Sequence, residues 1–254
     1  MIDNQLLFSV LPIAFVLGAC VGSFVTMASW RLPRGEEIIF KPSHCPSCNA
    51  TLTATDLVPL LSWVSARGHC RHCKASVSVR YPLIELSLAI AFTAVVLFYG
   101  VSFKAFLLLL LVSELAILIV TDLEHTIIPD GVQIALFFTG VFWCIARDAD
   151  WDTVLTSALT GLSLGLLLHY GYKVLRKKDG LGWADVKFLC VAGIWLPLIS
   201  FVPFLFIAGL IGTLTGLLWK RLGRGPLFPF GPALAVSLLI NVLWPNLLQR
   251  LLHS

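Results

Sequence analysis

Apolar stretches long enough to cross a lipid bilayer recur along this chain, and no other feature narrows its fold as sharply. A spanning helix needs about 20 predominantly apolar residues, because each residue adds about 1.5 Å against a hydrocarbon core of about 30 Å. Such runs lie near residues 6–29, 83–101, 105–121, 127–146, 153–174, 186–198, 202–219 and 230–248. The sixth, VKFLCVAGIWLPL, is the short one. Their apolar character is continuous and not alternating, which argues against a β-barrel. Composition agrees: charged residues make up 13% of the 254, against about 25% in a soluble domain. The expected fold is an all-α polytopic membrane protein with about eight transmembrane helices. The first run carries no A-x-A-like cleavage site and reads as a retained helix, residues 1–30.

Basic residues set the orientation. Fifteen of the eighteen Lys and Arg fall after runs one, five and seven, among them Arg31, Arg71, Lys177, Lys187 and Lys220. Lys104, Arg147 and Arg250 lie on the other side. The positive-inside rule puts the fifteen in the cytoplasm and both termini outside. The net charge of +4 is thereby a topology signal, and no nucleic-acid partner is implied.

One large polar insertion, residues 31–81, carries CPSC (Cys45, Cys48) and CRHC (Cys70, Cys73), with 21 residues between the pairs. Each C-x-x-C puts two thiolates on one tight turn, and two such turns complete a tetrahedral four-sulfur shell for zinc. On the cytoplasmic side stable disulfides are disfavoured; redox-active or unligated thiols are the alternative. Four thiolates leave no open coordination position, so the expected zinc is structural, pinning a loop too small to build its own core. His44, His69 and His72 flank the cysteines and read as polar loop residues, with substitution as metal ligands the alternative. Cys20, Cys144 and Cys190 lie in apolar runs and read as small buried residues.

Two acidic motifs share the cytoplasmic face of this topology: TDLEHTIIPD, residues 121–130, and GLGWADVKF, residues 180–188. Carboxylates are costly near lipid and tend to mark functional sites. Asp122 and Asp185, brought close, would share a proton, one acting as base and one as acid, and so activate water against a peptide carbonyl. Two solvated loop carboxylates are the alternative that spacing leaves open. Glu124 and Asp130 compete with Asp122, but Asp122 and Glu124 point about 200° apart on a helix. Asp130 falls in the first turn of the helix that Pro129 begins. Lys187 is expected to point toward lipid headgroups. Glu85 and Glu114 are intramembrane acids, for which pairing with a basic or backbone group is the expected reading and a direct catalytic role the alternative. The G-x-x-x-G pairs Gly18/Gly22, Gly161/Gly165 and Gly212/Gly216 predict close helix packing, and His169 a hydrogen bond within the bundle.

The order of motifs resembles the prepilin peptidase family, the bifunctional type IV prepilin leader peptidases and N-methyltransferases. The likeness runs across nearly the whole chain: GSF, RLPRGE, CPSC, DLVPLLSWVSARGHCRHC, RYPLIEL, TDLEHTIIPD, GLGWADVKF and FPFGPALA. It implies a G-x-G-D type aspartic membrane protease, with Asp122 and Asp185 as catalytic aspartates in a core of residues 82–254. Ala184 stands where the signature commonly has glycine; alanine keeps the site small but resists positive φ. Gly180 and Gly182 remain to loosen the helix start. The resemblance also implies prepilin or pseudopilin substrates with a basic leader, cut at the cytoplasmic face of a bacterial inner membrane. S-adenosyl-L-methionine is implied as donor for methylation of the new N-terminus. No G-x-G-x-x-G cradle opens a helix after a strand, so a Rossmann-type methyl-transfer site is not expected. Rival readings are a protease without methyl transfer, a zinc-regulated transporter and a non-catalytic assembly scaffold. A transporter predicts inverted repeats and midplane polar sites, and none is evident.

Overall fold

A computed structural model describes residues 4–176, 181–223 and 228–245. Gly180, Lys177, Lys178, Arg224, Arg250 and the end of the eighth predicted run lie outside them. The described elements are helical: α1 (Asn4–Arg31), α2 (Leu61–Ser65), α3 (Arg80–Tyr99), α4 (Phe103–His125), α5 (Asp130–Ala146), α6 (Trp151–Arg176), α7 (Trp183–Trp195), α8 (Phe201–Arg221) and α9 (Gly231–Leu243). Among the described residues no strand forms; two isolated antiparallel bridges join His44 to Thr51 and His69 to Ser76.

Each predicted run has its helix, yet five helices are long and apolar enough to cross a membrane: α1, α3, α4, α6 and α8. Their outer faces carry exposed apolar side chains such as Phe98, Val202 and Leu214, which suits contact with lipid. Helices α5 and α9 are apolar but shorter, and α7 has 13 residues. At ~1.5 Å per residue, α7 reaches about 20 Å, short of a bilayer core.

The chain divides into two compact units, Met1–Ile117 and Leu118–Ser254. In the first, α1 packs along α3 through small residues. A Cβ on Gly18 would stand 2.8 Å from Ala89 Cα, and one on Gly22 2.5 Å from Glu85 Cα. No larger residue permits that approach. Arg31 closes α1 with 4% of its surface exposed. Its guanidinium donates to the carbonyls of Glu37, Lys41 and Pro42 at 3.0, 2.8 and 3.1 Å, which pins the start of the loop. The loop then contains the same fold twice, HCPSCNAT and HCRHCKAS. In each copy the first cysteine N–H donates to the alanine carbonyl, Cys45 to Ala50 at 2.9 Å and Cys70 to Ala75 at 2.8 Å. The residue after the second cysteine turns left-handed, Asn49 at φ 57° and Lys74 at φ 61°.

In the second unit α7 is the central helix. Val186, Phe188, Leu189 and the run Val191–Trp195 are buried, as expected of a helix apolar all round. It lies against α6 through Gly161 and Gly193, where an added Cβ would meet backbone of the facing helix closer than any real contact. It lies against α5 through Trp195, whose indole N–H donates to the Leu136 carbonyl at 3.0 Å, and through Cys144, whose thiol donates to the Ile194 carbonyl at 3.1 Å. Ser237 of α9 donates to the Phe204 carbonyl of α8 at 2.6 Å. Of the three cysteines expected to be buried, Cys144 is, Cys190 is half-buried and Cys20 is exposed. Cys20 sits on a helix whose outer face is apolar, where exposure of a thiol to lipid costs little.

Candidate functional site

Asp122 stands near the end of α4 with 5% of its surface exposed, whereas Glu124 two residues on is exposed. A carboxylate near a helix C-terminus meets the negative end of the dipole and needs a donor from elsewhere. The backbone N–H of Gly231, the first residue of α9, donates to Asp122 Oδ2 at 2.8 Å. Pro232 follows and has no N–H to offer. Glycine is required at 231 by closeness: a Cβ there would lie 2.7 Å from the same carboxylate oxygen.

Asp185 is half-buried in the first turn of α7. Gly182, the N-cap, has ordinary extended dihedrals, φ −67° and ψ 151°, and its N–H donates to Asp185 Oδ2 at 3.2 Å. Ala184 lies inside the helix and is absent from the residues with positive φ. The backbone at 184 thus asks nothing that alanine resists. Nor does Gly182 loosen the helix start; it caps it. His169 of α6 fixes the approach, its ring nitrogen Nδ1 bonding the Leu181 carbonyl at 2.7 Å and its ring resting on Trp183 at 4.9 Å between centroids.

Asp122 lies within electrostatic range of Asp185, so α4 and α7 set the two carboxyls in one neighbourhood of the second unit. Each carboxylate also sits at the N-terminal end of a short helix, the end that favours an anion. Asp130 is not part of this pair. It occupies the first turn of α5, and Lys187 donates to its Oδ1 at 2.7 Å in an exposed ion pair. Lys187 was expected against headgroups; it finds this carboxylate. Two carboxyls at close range cannot both ionise easily, and one proton shared between them suits hydrolysis. Gly231, His169 and Leu181 were given no site role from sequence. The dipeptide Gly231-Pro232 opening an apolar run was the available signal for the first.

The first unit holds a different constellation. Cys45, Cys48, Cys70 and Cys73 bring their Sγ atoms within 4.8 Å of one another. Cys45 and Cys73 are 3.9 Å apart, near the edge of about 3.8 Å that ~2.3 Å metal–sulfur bonds give a tetrahedron. Backbone N–H groups of Ser47 and Cys48 draw the Cys45 thiol down to about 7, and those of Cys73 and His72 lower Cys70. Cys73 accepts an N–H from Ala75 yet is pushed up to about 11, by desolvation and then by the neighbouring thiols. Four cysteine sulfurs crowd here, and a cation binding them as thiolates would relieve the crowding. The cluster could hold a metal ion. His44, His69 and His72 are exposed and outside it. Glu85 of α3, a suspected intramembrane acid, accepts the Leu60 N–H at 2.7 Å.

The model of the bacterial peptidase A24 N-terminal domain matches residues 16–99. That of the type IV leader peptidase family matches residues 108–217. A prepilin leader peptidase/N-methyltransferase of Stutzerimonas stutzeri is 30% identical over 91% of this chain and 89% of its own. A type 4 prepilin-like proteins leader peptide-processing enzyme of Escherichia coli O78:H11 is 32% identical over 89% and 90%. A Neisseria gonorrhoeae prepilin leader peptidase/N-methyltransferase is 31% identical over 89% and 87%. No solved structure matches.

Proposed function

The chain belongs to the type IV leader peptidase family, and from that premise we propose that Asp122 and Asp185 are the dyad with which it cleaves prepilin or pseudopilin leaders. The observation that carries the assignment is the convergence of these two carboxyls from α4 and α7. One carboxyl stays protonated and polarises the scissile carbonyl. The other takes a proton from the attacking water, and the pair returns a proton to the leaving amine. Gly231 and Gly182 hold one oxygen of each acid by N–H donation and so orient the oxygens left to react. The readings as transporter or scaffold supply no reason for two acids to meet.

The chain lies in the bacterial inner membrane, with α1 and α3 to α9 all embedded and residues 31–81 and both acids at the cytoplasmic face. Fifteen of eighteen basic residues on that side support this. A prepilin leader, being basic, is held on the same side as the dyad. Zinc is the metal of the four-cysteine cluster, with a structural role that the full sulfur shell supports. Methylation of the new N-terminus with S-adenosyl-L-methionine completes the activity and rests on the named relatives.

The test is leader cleavage by purified protein in detergent. Asp122→Asn and Asp185→Asn each lose about 10²- to 10⁴-fold in rate, the range for a lost general acid or base. Glu124→Gln stays near wild type. Robust cleavage by Asp185→Asn would overturn the mechanism; a dead Glu124→Gln beside an active Asp122→Asn would move its first member.

A further inference from the structure

A cavity of about 420 Å³ opens between the cysteine loop and helices α1 and α3 of the first unit. Its size lies in the range of small-molecule sites, about 300–1,000 Å³. Trp30 and Met27 of α1, Trp63 of α2 and Tyr81 and Glu85 of α3 line it, together with Asp56. Aromatic walls with acidic groups suit a ligand that is flat and aromatic at one end and cationic at the other.

The three acids on this cavity differ in one respect. Glu36 is met by Lys41 at 2.5 Å and Asp56 by Arg71 at 3.3 Å. Glu85 is 7% exposed, and its hydrogen-bond partners among the described residues, the Leu60 N–H and the Ser23 hydroxyl, are both neutral. A buried carboxylate without a counter-charge is unfavourable, and a bound cation removes that cost. The surrounding chain holds this acid firmly. Leu60 takes the unusual φ of 61° where its N–H reaches Glu85. Trp63 is fixed by donation to the Val77 carbonyl at 3.1 Å and by Gly68, whose added Cβ would lie 2.9 Å from the ring.

We propose that this cavity is the methyl-donor site, with Glu85 facing the sulfonium or ammonium end of S-adenosyl-L-methionine and the aromatic side chains receiving its adenine. The inference rests on the methyl-transfer reading above and adds the place. The cysteine cluster serves the same site, since Cys45 and Cys70 line the cavity and a metal bound there holds one wall.

Binding, and not turnover, is the test. Equilibrium dialysis of purified, metal-loaded protein measures the affinity for S-adenosyl-L-methionine and for S-adenosylhomocysteine, whose sulfur is uncharged. Glu85→Gln keeps an acceptor for the Leu60 N–H and removes the charge. It should weaken S-adenosyl-L-methionine about tenfold or more, as a lost charge-assisted contact does, and weaken S-adenosylhomocysteine clearly less. Retained metal content shows that the loop is folded. Met27→Trp, which fills the cavity from α1, should weaken both ligands. Undiminished binding of both ligands in both variants would refute the site alone. No binding by the wild-type protein would refute the methyl-transfer reading together with the site.

Discussion

Replacing Gly231 by alanine separates geometry from stability at the proposed dyad. The added methyl carbon would stand 2.7 Å from Asp122 Oδ2, 3.2 Å from Asp122 Cγ and 3.1 Å from Leu118 Cδ2. Ordinary contact begins near 3.4 Å, so the carboxylate must retreat from the methyl by about 0.7 Å, the difference between 3.4 and 2.7, on the scale at which a misplaced reacting group costs about a hundredfold. The 2.8 Å bond from the Gly231 N–H stretches in the same movement. The expected result is a kcat for leader cleavage lowered about 10- to 100-fold. Backbone propensity works the other way, alanine being favoured over glycine in a helix by up to about 1 kcal/mol. A melting temperature within a few degrees of wild type, beside the lost activity, therefore marks the steric effect. Cleavage assays on a purified prepilin in detergent, with thermal melts in parallel, decide it. A Gly231→Ala protein with wild-type kcat would refute the idea that the Gly231 contact orients Asp122.

Metal analysis of purified protein should give about one zinc per chain, as a four-thiolate site requires; a Cys70→Ser protein that kept its full zinc would exclude the assignment. Lys187→Ala removes an ion pair whose side chains are 53% and 68% exposed, worth about 0–1 kcal/mol. Its cleavage rate should stay within about threefold of wild type, and a much larger loss would place Lys187 in the reaction.

The helices were legible because burial in lipid demands long apolar runs, and each predicted run has its helix. Their ends were less so. Asp130 follows Pro129 into the first turn of α5 as its sequence indicates, but the partner of Lys187 lies 57 residues away and leaves no local trace. Glycine spacing announced the close approach of α1 to α3 and of α6 to α7, because a missing Cβ has one common use between packed helices. The duplicated turn of the cysteine loop is present in HCPSCNAT and HCRHCKAS, but the C-x-x-C pattern does not itself mark the alanine that completes each copy. The cavity beside Glu85 has no signature at all: its walls come from segments more than 50 residues apart, and volume is a property of packing.

The two acids stand out in the sequence as residue types in unusual places; their supports do not, and the reason lies in the lengths of α7 and α9. Each has 13 residues and reaches about 20 Å against a hydrocarbon core of about 30 Å. In the embedded arrangement proposed above, a helix this short cannot place both ends in bulk water, so the free N–H groups at its start need acceptors within the protein. Gly231 at the start of α9 finds Asp122, 109 residues earlier in the chain. Gly182 at the start of α7 finds Asp185. The same shortness leaves each carboxylate held by one backbone donor and close to the other acid. In this arrangement the capping of two truncated helices and the placing of the proposed proton-sharing pair are one structural act, which is why a single methyl group at 231 should reach the chemistry.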